Sequence, residues 1–306
     1  KVSCSTAPHA TWSCVRPPSC ASSLTAENYA SALHNARDAI VQNPRSVKAL
    51  YRACKGFLAL GRIADARGAV ELALGFEPEN AELLRLAEQG EQRAAAIERR
   101  DKERAERERR KRLTGEAVHT AFLARGLWIE KSDDPPDNPH PAHFDPEALP
   151  PYASDNIPLI DAKEEWRAPD PIRTPLIFPV MLLYPQHNQS DLIAEYQEDT
   201  PIGLHLDAMF PPEARGQLPW DPRGEYVSKN LSVIAATHKG RLFRVGHKLS
   251  LREVLDQGAQ SPPSGKPEDR DGVVLHDGVL RLYVFPKGSD AERTWVERTK
   301  RTRVAV

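Results

Sequence analysis

The chain has 306 residues, 40% of them hydrophobic and 28% charged, with 42 Lys and Arg against 43 Asp and Glu and a formal net charge of -1. That length gives room for roughly two domains of about 100 to 200 residues each. The near-neutral balance argues against wholesale attraction to nucleic acid or to an anionic membrane, both of which need a basic excess. No window reaches the roughly 20 apolar residues of a membrane-spanning helix; the best run, PLIFPVMLLYP at 175–185, is interrupted by proline and reads as a buried strand.

Residues 1–23 are read as a disordered, atypical leader without helical or strand period. Its three cysteines, Cys4, Cys14 and Cys20, with His9 beside them, lack the close paired spacing of structural zinc ligands, so no metal is expected there. Cys54 is the fourth and last cysteine, a usage typical of a reducing compartment. The abrupt change to amphipathic helix at about Leu24 predicts a fragment boundary or a mispredicted exon at that point.

Residues 24–97 carry an internal echo. NYASALHNARDAIVQNP (28–44) and RIADARGAVELALGFEP (62–78) match when slid by 34 residues: Tyr29 with Ile63, Ala32 with Ala66, Ala39 with Ala73, Pro44 with Pro78. Small residues let paired helices approach, a large apolar residue opens the buried face, and proline ends the helix for want of an N–H. The pattern resembles the tetratricopeptide repeat, strongly over 47–80, where Phe57 also falls at an expected aromatic position, and for the preceding unit in its second helix only. Leu83, Leu84, Leu86 and Ala87 offer an apolar face for a capping helix over the last repeat.

Residues 98–130 are read as a charged helix. Within 98–112 the sequence holds nine Lys or Arg and five Asp or Glu, many three or four apart, the pattern of a solvated helix held by its own ion pairs. The run Arg109, Arg110, Lys111, Arg112 is the candidate phosphate-contacting or nuclear-import patch. Residues 131–175, saturated with proline and acid, are read as a linker running over a surface. His140 and His143 stand near Asp133, Asp134 and Asp137, but no regular element holds them in register for a metal.

From 176 to 306 the texture becomes α+β. Strands are predicted at 176–184, 230–237, 241–246 and 279–285, and helices at 189–199, 202–210, 250–258 and 290–301, with Ser250 and Asp290 near the helix starts and a hairpin turn through Gly240. Trp220, Trp295, Tyr184, Tyr226, Met209 and Phe210 are assigned to core packing, and His205 to a hydrogen-bonded core position.

On the predicted helix after Ser46, Lys48, Arg52 and Lys55 recur at i, i+4 and i+7 and share one stripe. They repel one another, and a cationic stripe inside a repeat groove suits an acidic extended peptide, above all a chain end with a terminal carboxylate beside an acidic side chain. KALYR at 48–52 resembles the carboxylate clamp of tetratricopeptide co-chaperones, in which a Lys and an Arg one turn apart hold the C-terminal Glu-Glu-Val-Asp tail of heat-shock protein 90 or 70; the resemblance gives Lys48 and Arg52 that role. The family's clamp also draws a Lys and an Asn from a first repeat and an Asn from a second. This chain lacks the first repeat, and Pro18 falls where the other Asn is expected, so the clamp is half present.

FPVMLLYPQHNQSDLIAEYQEDTPIGLHLDAMF with LPWDPRGEY closely resembles the C-terminal wheel domain of the tetratricopeptide repeat protein 4 and cyclophilin-seven-suppressor family, cytosolic and nuclear co-chaperones of heat-shock protein 90. The resemblance implies a multidomain chain: all-α repeat hairpins with a long charged helix, then an α+β wheel domain. It also implies a non-catalytic adaptor joining heat-shock protein 90, and heat-shock protein 70, to client proteins that include translation factors, in the cytoplasm and nucleus, without cofactor, metal or membrane. No G-x-S-x-G, G-x-x-x-x-G-K-[ST], H-E-x-x-H or G-x-G-x-x-G occurs to suggest an enzyme. The alternative is a ribosome- or RNA-associated adaptor working through the basic helix 98–112.

Overall fold

The computed structural model describes residues 23–260 and 270–304, so the leader, its cysteines and Pro18 lie outside the described residues. The chain divides into two compact units between Lys102 and Glu103.

The first unit is helical: α1 (Ser23–Gln42), α2 (Val47–Ala59), α3 (Ile63–Phe76) and the start of α4 (Ala81–Ala124). Its core joins Ala36 of α1, Ala53, Cys54, Phe57 and Leu58 of α2, Ala66, Ala69 and Val70 of α3, and Leu86 of α4. Gly56 lets α1 come close, since a Cβ there would stand 2.8 Å from Leu33 Cγ. Asn80 caps α4, its Oδ1 accepting from the N–H groups of Glu82 and Leu83.

The two halves of the 34-residue echo are not equally buried. Ala66 and Ala73 sit fully inside against α2, whereas Ala32 and Ala39 are exposed and Tyr29 is 43% exposed. In α1 it is Leu33, Ala36 and Ile40 that meet the core. The face that α3 lays on α2 is turned, in α1, toward no described residue. Of the predicted capping residues, Leu83 and Leu86 are buried and Leu84 is 49% exposed, because residues three apart share a helix face and Leu84 points off it.

The second unit is built on an eight-stranded sheet: β1 (Trp128–Glu130), β2 (His143–Phe144), β3 (Leu176–Tyr184), β4 (Gln189–Gln197), β5 (Leu231–Ala236), β6 (Leu242–Val245), β7 (Val274–His276) and β8 (Val279–Pro286). β8 runs parallel to β3 and antiparallel to β7 and β5; β1 lies parallel to β7, and β6, β4 and β2 pair antiparallel with β5, β3 and β3. One face packs Phe178, Val180, Leu182, Leu282 and Val284 against α5 (Ile202–Met209) and α6 (Leu251–Gly258) through Ile202, Leu206, Val254 and Leu255. By strand alternation Tyr283 and Phe285 point the other way, where Trp295 of α7 (Asp290–Val304) lies 4.4 and 5.3 Å from their rings.

Three sequence expectations are corrected here. Residues 189–199, expected as helix, form β4. The charged helix ends at Ala124 instead of 130: Gly126, at φ 69°, turns the chain, and Trp128–Glu130 enters the sheet as β1. Gly126 and Gly272 meet so closely that a Cβ on Gly272 would fall 1.7 Å from the Gly126 carbonyl oxygen. Third, 131–175 is more than a surface linker: Phe144, Ala153, Trp166 and Thr174 are buried, and His143–Phe144 pairs with β3.

A buried ion cluster ties that segment to the sheet. Arg125, at the end of α4, is 4% exposed and Glu198, after β4, is 0% exposed. Arg125 Nη2 donates to Glu198 Oε1 at 2.6 Å and to the Thr174 carbonyl, and its Nη1 to the Pro171 carbonyl. Glu198 Oε1 also accepts from Leu176 N–H and from Arg252 Nη2 at 2.8 and 2.7 Å. Each polar group in this dry setting has a partner, which is what makes burying two charges tolerable.

A candidate peptide-binding stripe

α2 turns Ala49, Leu50, Ala53, Cys54, Phe57 and Leu58 inward. The helical period then places Lys48, Arg52 and Lys55 on the opposite side, and all three are exposed. α2 contains no Asp or Glu, so no acid stands one turn away within it. Among the described residues the side chain of neither Lys48 nor Arg52 has a hydrogen-bond or ion-pair partner. Lys55 Nζ lies 5.1 Å from the centroid of the Tyr51 ring. By contrast Arg62 pairs with Asp65 at 2.6 Å and Arg67 with Glu91 at 2.8 Å.

At about 1.5 Å of rise per residue the stripe from 48 to 55 is about 10 Å long, the reach of about three extended peptide residues. It can therefore meet two carboxylates of one extended chain together, the Arg fork taking one bidentately and Lys acting as a mobile point charge. Behind the stripe, Cys54 is a buried thiol whose pKa desolvation pushes up to about 11, so it is packing, not a nucleophile.

The basic patch on α4 is arranged differently. Arg110, its side chain 12% exposed, bonds Glu106 and donates to the carbonyls of Ile157 and Pro158 at 2.8 Å. Its guanidinium lies 5.3 Å from the Trp166 ring centroid, and that of Arg109 lies 6.0 Å away. Arg109 also pairs with Glu106, and the hydrogen bond from Arg109 above all holds the Glu106 carboxyl down to about 2. Arg112 pairs with Glu116, and Lys111 is exposed. Three of the four patch cations thus pair with acids of their own chain, and two of these, Arg109 and Arg110, also lie beside Trp166. This docking was missed at the sequence level; a lone tryptophan, Trp166, inside an acidic proline-rich stretch was the available signal.

In the second unit Tyr184, Phe210 and Tyr226 are buried and pack with Trp220, whose ring stacks 5.0 Å from that of Tyr184. His205 departs from expectation: its Nε2 is buried without a partner, its ring lies 4.1 Å from that of Tyr196, and burial lowers its pKa. Among the described residues no group of three or more His, Cys, Asp or Glu is placed to hold a metal ion, and no helix is long and apolar enough to cross a membrane.

Against known proteins, residues 168–299 match the family described as Cns1/TTC4 Wheel domain, starting eight residues before the boundary expected at 176. The Hsp70/Hsp90 co-chaperone cns1 of Schizosaccharomyces pombe is 26% identical over 278 residues, 90% of this chain and 67% of that protein. Hsp70/Hsp90 co-chaperone CNS1 of Saccharomyces cerevisiae is 24% identical over 86% of this chain and 60% of its own length. Tetratricopeptide repeat protein 4 of Homo sapiens is 27% identical over 74% and 57%. This chain therefore spans between 57 and 67% of the length of these relatives. Among solved structures, Hsp90 co-chaperone Cns1 from Saccharomyces cerevisiae (delta69) shares the fold with a TM-score of 0.61 at 20% identity, over 90% of this chain and 78% of that one. Residues 168–299 thus belong to the Cns1/TTC4 Wheel domain family, and along most of its length, helical unit included, the chain is similar to the Hsp70/Hsp90 co-chaperones of the two yeasts.

Proposed function

We propose that this protein is a non-catalytic co-chaperone adaptor whose α2 stripe receives the acidic C-terminal tail of heat-shock protein 90, and of heat-shock protein 70, while the rest of the chain engages client proteins. The observation that carries the reading is that Lys48 and Arg52 stand exposed, one turn apart, on a helix without a single acid. The printed names of the yeast relatives, Hsp70/Hsp90 co-chaperones, support the same partner class. The RNA-adaptor alternative is weaker, because Arg109 and Arg110 are engaged by Glu106, Trp166 and two backbone carbonyls. The work takes place in the cytoplasm and nucleus on this reading.

Calorimetric titration with a Glu-Glu-Val-Asp peptide tests it. Each charge-assisted hydrogen bond contributes about 1.5 to 3 kcal/mol, so Lys48→Ala with Arg52→Ala is expected to weaken binding at least tenfold, and added salt to weaken the parent protein's binding. Equal affinity in parent and double variant would remove the stripe from the reaction.

A further inference from the structure

The face of the sheet turned away from α5 and α6 carries a polar cleft. Glu130 of β1 stands opposite His276 of β7, and His276 opposite Val279 of β8, so by strand alternation Arg281 and Tyr283 point the same way as these. With Thr237 and His238, which follow β5, they line a cavity of about 200 Å3.

Glu130 holds both imidazoles: His238 Nδ1 lies 3.3 Å from its Oε1 and His276 Nδ1 lies 2.9 Å from its Oε2. The His238 ring also stacks 3.8 Å from that of Trp128. Each imidazole is thus fixed through one nitrogen, which leaves the other to meet a ligand. Arg281 is half-buried, yet its side chain makes no hydrogen bond or ion pair among the described residues, and neither does the Tyr283 hydroxyl.

Charge decides what fits. Around the imidazoles stand Glu130, Arg281 and, in the turn between β7 and β8, Asp277, with Lys239 next to His238 in the chain. Burial first, then Arg281, holds His276 below its ordinary pKa, so in the vacant cleft it is neutral at pH 7. With neutral imidazoles the Arg281 guanidinium faces two carboxylates. A proton on each imidazole turns that balance positive. The Arg281 fork, two imidazole N–H groups and a phenol hydroxyl then offer more donors than the two oxygens of a carboxylate engage.

We propose that this cleft binds the phosphate group of a small molecule and takes up protons on its imidazoles as it does so. Arg281 supplies the permanent charge, and Glu130 steadies each imidazolium as it forms. The cavity has room for the phosphate and a few further atoms. The proposal does not rest on the α2 stripe.

The test uses the whole chain and sulfate, a tetrahedral anion whose charge is fixed between pH 6 and pH 8. Ring proton signals of His238 and His276, assigned with His238→Gln and His276→Gln, are titrated by NMR in sodium sulfate and in sodium chloride of equal ionic strength. Sulfate is expected to raise the His276 midpoint, and to bind about tenfold more tightly at pH 6 than at pH 8. Arg281→Gln, checked for native near-UV dichroism, is expected to abolish both effects. Equal midpoints in sulfate and chloride would overturn the proposal, as would a rise that survives Arg281→Gln or that acetate reproduces. A phosphoserine peptide that binds more tightly than glycerol 2-phosphate would overturn the assignment to a small molecule.

Discussion

Arg125 illustrates how one side chain can decide whether a segment belongs to the fold. Its guanidinium meets Glu198 and the carbonyls of Ala121, Pro171 and Thr174, so the end of α4, the proline-rich segment and the sheet converge on one charge. Removing it leaves Glu198 buried with Arg252 as its remaining cation. Breaking a buried pair from one side typically costs about 3 to 5 kcal/mol. Arg125→Met is expected to lower the stability of the second unit by about that amount, measured by chemical denaturation. A loss below about 1 kcal/mol would mean that the pair is replaceable by packing, as some buried pairs are. No spacing rule joins residues 125 and 198, which is why the pair was invisible in the sequence. The α2 stripe, by contrast, lies within one helix, so its three positions could be read from periodicity alone.

Among the elements, the segment 155–167 is held on α4 by contacts that include a titratable group. Glu106 bonds both Arg109 and Arg110 and so steadies the two guanidinium groups beside Trp166. Its folded pKa, about 2, lies below the unfolded value of about 4.3. A depressed carboxyl contributes its stability above the unfolded pKa and loses it as pH falls through the folded one. Trp166 is accordingly expected to loosen between about pH 4.3 and pH 2, and Glu106→Gln to loosen it already at neutral pH; exchange of the 157–167 amides reports both. Exchange that is flat across this window would separate Glu106 from the docking.

β4 shows why some elements are legible and others are not. Its register against β3 slips between Phe178 and Val180, at Pro179, so that Val180 faces Ile193 and Phe178 faces Tyr196. The bulge brings residues three apart, Ile193 and Tyr196, to the same buried face. Three-residue spacing of apolar side chains is the mark of a helix, and the sequence was read that way. β5, β6 and β8 carry no such slip, and in β3 the extra residue belongs to the partner strand, so Phe178, Val180 and Leu182 keep their alternation; all four were placed to within about a residue or two, the usual margin for ends. β1, β2 and β7 are two or three residues long and have no period to read.

At the scale of the whole molecule, the two units carry different reporters. Four of the five tryptophans, Trp128, Trp166, Trp220 and Trp295, lie in the second unit, and Trp12, outside the described residues, is replaced by Phe in the parent and variant compared below; α1, α2 and α3 lie in the first unit. Leu50 packs with Ala73 and Leu83 in the helical core. Leu50→Ala is expected to destabilise that unit by about 2 to 5 kcal/mol, visible as an earlier helical component in far-UV dichroism. The tryptophan fluorescence midpoint of the variant should stay with that of the parent. A joint shift would mean that the units unfold as one cooperative body.

The absence of acid from α2 has a further consequence. A helix face that accumulates like charge with no internal counter-ion is under electrostatic pressure whenever it is empty, and an arriving anion relieves it. Occupancy and folding are then thermodynamically linked: a ligand present at a hundredfold excess over its dissociation constant adds about 2.7 kcal/mol to the stability of the state that binds it. On the proposed function the repeat unit is at its weakest when vacant, so the adaptor is most vulnerable to unfolding, and to whatever degrades unfolded chains, when it has no chaperone tail in place.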